Sequence, residues 1–263
     1  MTTHWKGPLL SSHTAGGGLY ENFPIQMMSA LDAHVSFVTD FSDHALATYW
    51  TQTNIVAGTA TIAQDGANPS LSLTHGTAAQ GPSVRWLGSA GAGNALVNVT
   101  TNGNTSLFEA RFTIQANVDR DDYFLGFMTS VAAHPLLAGP PGDINLAGVA
   151  DGAGFHWLDA NNGRPILVAW RAGALETLTS PPTLAADANA VARYFGVRLE
   201  RDGTGTSLRY YINRRLVHTH RMSADFSARM TWGVGQVARG AGAQGIVSRL
   251  ALGRLNTAAT PPE

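Results

Sequence analysis

The sequence predicts an all-β protein, an antiparallel jelly-roll β-sandwich behind an extended N-terminal arm. Three observations predict it: apolar residues recur with period two over many short segments, Gly, Asn, Asp and Pro punctuate those segments, and little of the chain follows the 3.6-residue helical period. A chain of 263 residues is long enough for one large domain. We divide it into an arm over 1–36, a sandwich over 37–257 and a short tail over 258–263.

The arm comes first. Gly7-Pro8, Ser11-Ser12, Gly16-Gly17-Gly18 and Pro24 break any regular pattern, yet Trp5, Leu9, Leu10, Tyr20 and Phe23 supply apolar anchors that a free linker does not need. These five are the candidate partner-contact residues. Ile25, Met28 and Leu31 have helical spacing, but over too short a span to define a helix.

From about Val35 onward the period is two. Phe108, Ala110, Phe112 and Ile114 alternate with Glu109, Arg111 and Thr113; Phe195, Val197 and Leu199 alternate with Arg198 and Glu200; Leu208, Tyr210 and Ile212 alternate with Arg209, Tyr211 and Asn213. Each pattern predicts a strand with one face on a core. Further strands are expected at Asn54–Ile62, Leu71–His75, Val84–Leu87, Tyr123–Thr129, Gly154–Leu158, Ile166–Arg171, Arg229–Val237 and Ile246–Leu255. Asp65-Gly66, Asn162-Gly163 and Asp202-Gly203 tolerate positive φ and mark turns, the last of them joining two antiparallel strands. Pro135–Pro141 reads as a long surface excursion. Many short strands with such turns imply two sheets packed face to face.

The run Tyr194–Val217, with its paired Phe-Gly-Val-Arg-Leu-Glu-Arg and Ser-Leu-Arg-Tyr-Tyr-Ile-Asn segments, resembles the central strands of concanavalin A-like, laminin G-like jelly rolls. In that superfamily the second strand usually ends in Asn-Gly, whereas here Asn213 is followed by Arg214. The arm leading to Asp40-Phe41, then Tyr49-Trp50-Thr51, Gly58-Thr59-Ala60 and the strand from Leu71, is similar to jelly-roll virion proteins of tailed bacteriophages. That resemblance implies a capsid decoration, or cement, protein made in the host cytoplasm and bound on the capsid exterior to the major capsid protein. It also implies self-association into a homo-oligomer on the lattice.

Charge narrows the partners. With 17 basic and 18 acidic side chains the formal net charge is −1, so nothing electrostatic favours nucleic acid or an anionic membrane. No stretch approaches the ~20 apolar residues needed to cross a bilayer, and the start lacks a signal-peptide pattern, so the chain is expected to be soluble and to begin at Met1. Charged residues are only 13% of the chain, against about 25% in ordinary soluble domains, which suits surfaces covered by neighbours. Lys6 is the sole lysine. Absence of cysteine excludes disulfides, thiolate metal sites and thiol nucleophiles.

Candidate chemistry is sparse. A retaining glycosidase needs two carboxyls about 5 to 5.5 Å apart, and the Glu-x-Asp-x-x-Glu string of that fold's hydrolases is missing. Asp119/Asp121 and Glu200/Asp202 have the i, i+2 spacing, but each pair abuts a turn. Asp119, Asp121 and Asp122 have the oxygen chemistry calcium requires, but lack the sharp-turn Gly and bidentate Glu, and Arg120 lies among them. His218 and His220 share a strand face and could share a metal, yet no third ligand adjoins them, so an exposed polar face beside Arg221 is expected.

The Gly240–Gly245 string matches G-x-G-x-x-G, but a strand rather than a helix follows it, and no G-x-S-x-G elbow occurs. Trp157, Trp170 and Trp232 are expected in the core. No cofactor, metal or catalytic residue is therefore expected. The alternative to a virion structural protein is a carbohydrate-binding lectin-like module or virion adhesin; a glycan hydrolase or lyase comes third.

Overall fold

Alternating apolar residues can bury one face of a strand only by pairing edges and stacking two sheets, and the chain does both. The structure is a computed structural model that describes residues 34–39, 50–54, 60–64, 71–75, 83–88, 104–116, 121–129, 151–157, 164–185, 191–227, 230–238 and 244–256. In order, the strands are β1 (His34–Thr39), β2 (Trp50–Asn54), β3 (Ala60–Gln64), β4 (Leu71–His75), β5 (Ser83–Gly88), β6 (Asn104–Ala116), β7 (Asp121–Met128) and β8 (Gly152–Trp157). They continue as β9 (Pro165–Arg171), β10 (Ala174–Leu175), β11 (Arg193–Asp202), β12 (Gly205–Ile212), β13 (Arg215–Arg221), β14 (Thr231–Ala238) and β15 (Gln244–Asn256).

Two antiparallel sheets result. The eight-stranded sheet runs β13-β12-β11-β6-β15-β4-β3, and β1 also pairs with β15. The seven-stranded sheet runs β10-β9-β8-β7-β14-β5-β2. Long β15 serves two neighbours on one side, since Gln244–Val247 pairs with β4 and Leu250–Leu255 with β1. β1 straddles the expected boundary between arm and sandwich. The single strand expected over Asn54–Ile62 is met by the end of β2 and the start of β3.

The inter-sheet core is aromatic. Phe112 of β6 meets Tyr123 and Trp157 with ring centroids 5.2 and 5.3 Å apart, and Trp157 meets Phe195 edge-on at 4.8 Å. Phe155 contacts Phe195 and Tyr210 at 5.2 and 5.7 Å. Each such side chain contributes about 1.5 to 3 kcal/mol by burial, and a well-angled ring pair about 0.5 to 1.5 kcal/mol more. Tyr210 also donates its hydroxyl to the Val168 carbonyl of the opposite sheet at 2.8 Å, and complete burial pushes its phenol far above the ordinary range.

Both faces of the central strands are buried, which the one-face expectation did not anticipate. β8 is buried along its whole length. On the outward face of the seven-stranded sheet, Phe124 lies 5.6 Å from Trp170 and 6.5 Å from His156, and all three are fully shielded. Glycines make room for these rings: a Cβ at Gly152 would strike the Trp170 ring, one at Gly154 would come within 2.8 Å of Phe124 Cε2, and one at Gly233 within 2.8 Å of Met128 Sδ. Trp157 lies in the inter-sheet core and Trp170 in this outward cluster, while the Trp232 side chain lies outside the described residues.

Two hairpins turn on paired positive φ. Ala172 and Gly173 (φ 50° and 77°) join β9 to β10; Asn213 and Arg214 (φ 50° and 65°) join β12 to β13. This is the primed-turn geometry that matches strand twist.

Candidate functional site

The five predicted contact residues, Trp5, Leu9, Leu10, Tyr20 and Phe23, lie outside the described residues, as does Asp119. Asp121 opens β7 and Asp122 is buried on it and engaged. Among the described residues, no group of three or more His, Cys, Asp or Glu side chains is arranged to hold a metal ion.

Six carboxylates of the described residues have partners that set what each can do. Glu109 is 1% exposed and is gripped by Arg214, with Nε donating to Oε2 at 3.1 Å and Nη2 to Oε1 at 3.3 Å. Glu200 is 2.6 Å from Arg198 Nη2 and 3.2 Å from Arg209 Nη2. Asp202 opens the β11–β12 turn, where it accepts from the Thr204 N–H and hydroxyl, both at 2.7 Å, and from Arg221. The Arg221 and Thr204 hydrogen bonds hold its carboxyl well below the usual carboxylate range.

Asp225 accepts from Thr206 at 2.7 Å and pairs with Arg201 at 3.0 Å. Asp151 is buried at the entrance to β8. It accepts from the Ala172 N–H at 2.9 Å and from the Ser227 N–H and hydroxyl at 2.8 and 3.1 Å, so it ties three segments together.

Glu176, just past β10, accepts from the Ser223 N–H at 2.6 Å and hydroxyl at 3.0 Å. Burial raises its pKa, but the Ser223 hydrogen bonds and His220 outweigh that, and the net direction is down. A general acid near neutral pH needs the reverse shift. The turn-adjacent pair Glu200/Asp202 is thus spent on arginines.

The histidines differ from expectation. Cross-strand pairing sets His218 opposite Tyr210 and His220 opposite Leu208, so both share the face of core residues. His220 is 4% exposed, and the two rings stack with centroids 6.4 Å apart at 14°. The exposed polar face expected there is instead the inner margin of the sandwich, because a bulge between Tyr210 and Tyr211 resets the strand's alternation. Nearby, the edge strands expose Leu175 (53%) and Leu216 (40%). The string ending at Gly245 runs into β15, a strand without the helix N-terminus that a pyrophosphate requires.

No protein-family model and no curated protein matches the chain. Solved structures do. Peanut lectin in complex with a nonamer peptide is 14% identical, with a TM-score of 0.53 over 84% of this chain and 97% of that one. An endo-1,3-β-glucanase from Streptomyces sioyaensis is 10% identical, with a TM-score of 0.52 over 86% of this chain and 98% of that one. A Bacillus subtilis protein of unknown function with a galectin-like fold is 12% identical, with a TM-score of 0.51 over 85% and 96%. At these identities the likeness shows the fold, a lectin- and galectin-like jelly-roll sandwich that accommodates both a lectin and a glucanase.

Proposed function

We propose that this chain is a non-catalytic, lectin-like carbohydrate-binding module. The observation that carries this reading is the engagement of six carboxylates: Glu109, Glu200, Asp202 and Asp225 are held by arginines, and Asp151 and Glu176 by serine and backbone donors. A glycosidase on such a sandwich needs one carboxyl free to protonate a leaving group and a second facing the same bond. The likeness to peanut lectin supports the binding alternative. Full-length protein applied to a glycan array is expected to be retained by one glycan class, and retention by none would overturn the reading.

A second reading concerns where the module works, and two sequence features favour it: the apolar anchors of the arm and the low charge content of the chain. The arm straps the module to the major capsid protein of a virion, and the module decorates the capsid exterior as a homo-oligomer. Burial of each anchor contributes about 1.5 to 3 kcal/mol, multiplied over a symmetric lattice by effective concentration. Deleting residues 1–33, which stops short of β1, is expected to abolish incorporation into heads. Undiminished incorporation would refute the strap.

A further inference from the structure

The sandwich closes along one margin where β13 ends the eight-stranded sheet and β10 ends the seven-stranded one. Two carboxylates fasten it: Asp151 ties the β9–β10 turn to Ser227, and Glu176, beyond β10, accepts both the N–H and the hydroxyl of Ser223, beyond β13. Beneath this fastening lie His218 and His220. The Nε2 of His218 and both ring nitrogens of His220 are buried without a hydrogen-bond partner. The Nε2 of His220 stands 3.7 Å from Glu176 Oε1, too long for a hydrogen bond but close enough to become an ion pair on protonation.

We propose that His218, His220 and Glu176 form an acid-sensitive latch on this margin. With both rings neutral, β13 stays closed against the segment after β10. With both rings charged, two cations are stacked beside one carboxylate, so one pairs with Glu176 and the other drives β13 outward.

Among the described residues, no second counter-charge is placed against the pair. The titratable groups placed against it are Tyr210 of β12, whose ring centroid is 6.2 Å from that of His218, and Glu176 itself. Tyr210 stays neutral, its hydroxyl committed to Val168. On the strand's exposed side Arg221 pairs with Asp202, and beyond the strand Asp225 pairs with Arg201. Arg215, at the start of β13, is exposed.

Burial, and then the charge of His220, lower the pKa of His218 below its ordinary 6.5. A histidine depressed in the folded state contributes stability that is present above the unfolded value and is lost as pH falls through the folded one. Glu176, shifted the opposite way from a buried acid, stays ionised throughout that window. The latch therefore opens on acidification from neutrality, and each unit of depression corresponds to about a tenfold change in the closed-to-open ratio.

Hydrogen exchange of the full-length protein, corrected for intrinsic rates, tests this between pH 7.5 and 5. Protection over 215–223 and 174–184 is expected to fall about tenfold or more while β8 holds. His218→Phe keeps a ring against Tyr210 and should flatten the fall; Glu176→Gln, which removes the counter-charge, should deepen it. Constant protection at 215–223, or an equal fall in a folded His218→Phe, would overturn the proposal. If that variant does not fold, imidazole titration of the wild type by NMR decides the matter. One ring titrating below 6.5 supports the latch, and both titrating at the ordinary value contradict it.

Discussion

Arg214 holds a left-handed backbone conformation, φ 65°, at a hairpin position that glycine would occupy without strain. That conformation costs a non-glycine residue roughly 1 kcal/mol. What offsets it is the side chain, whose Nε and Nη2 hold the buried Glu109 while the guanidinium lies 4.5 Å from the centroid of the Tyr194 ring. Arg214→Gly is therefore expected to relieve the turn yet destabilise the protein by about 2 kcal/mol, because it strands a buried carboxylate. Adding Glu109→Leu should restore most of the loss. Thermal denaturation reads both, and an Arg214→Gly protein more stable than wild type would show that the pair does not hold the turn. The departure from Asn-Gly was visible in the sequence, but the distant partner was not: Glu109 lies 105 residues upstream.

At the scale of elements, the seven-stranded sheet depends on missing side chains as much as on present ones. Gly126 pairs with both Gly154 and Gly233, and Gly152 pairs with Trp170, so the outward rings lie on bare backbone. A Cβ at Gly154 would meet the Leu125 carbonyl oxygen and Phe124 at once, and backbone cannot yield as a flexible side chain can. Gly154→Ala should cost about 3 kcal/mol as an overpacking change and lower the Tm by about 6 to 12 °C. An unchanged Tm would mean that the sheet can open there at little cost.

Strand positions were legible because period two survives wherever one face meets the core, as at Phe108–Ile114 and Leu208–Ile212. The second buried face was not, since Phe124 and Trp170 alternate with residues equally apolar. Nor was the Ala172-Gly173 turn, whose first residue carries no turn signal; Asp151 accepts its N–H from another strand's entrance. His220 was misplaced because a bulge cannot be read from spacing.

For the whole molecule, the fold leaves binding and hydrolysis equally open, and the proposal of binding rests on the carboxylates of the described residues. The jelly roll followed from pattern alone, whereas the fate of the carboxylates did not, since pairings such as Arg201 with Asp225 and Ser223 with Glu176 join residues that sequence does not bring together. Isothermal calorimetry of the full-length chain with the glycan it retains tests the central claim most directly. Heats that shrink to nothing as sites fill, with the baseline recovered after each injection, are the expected result. A sustained heat flow that grows with protein concentration would mean turnover and would contradict the account.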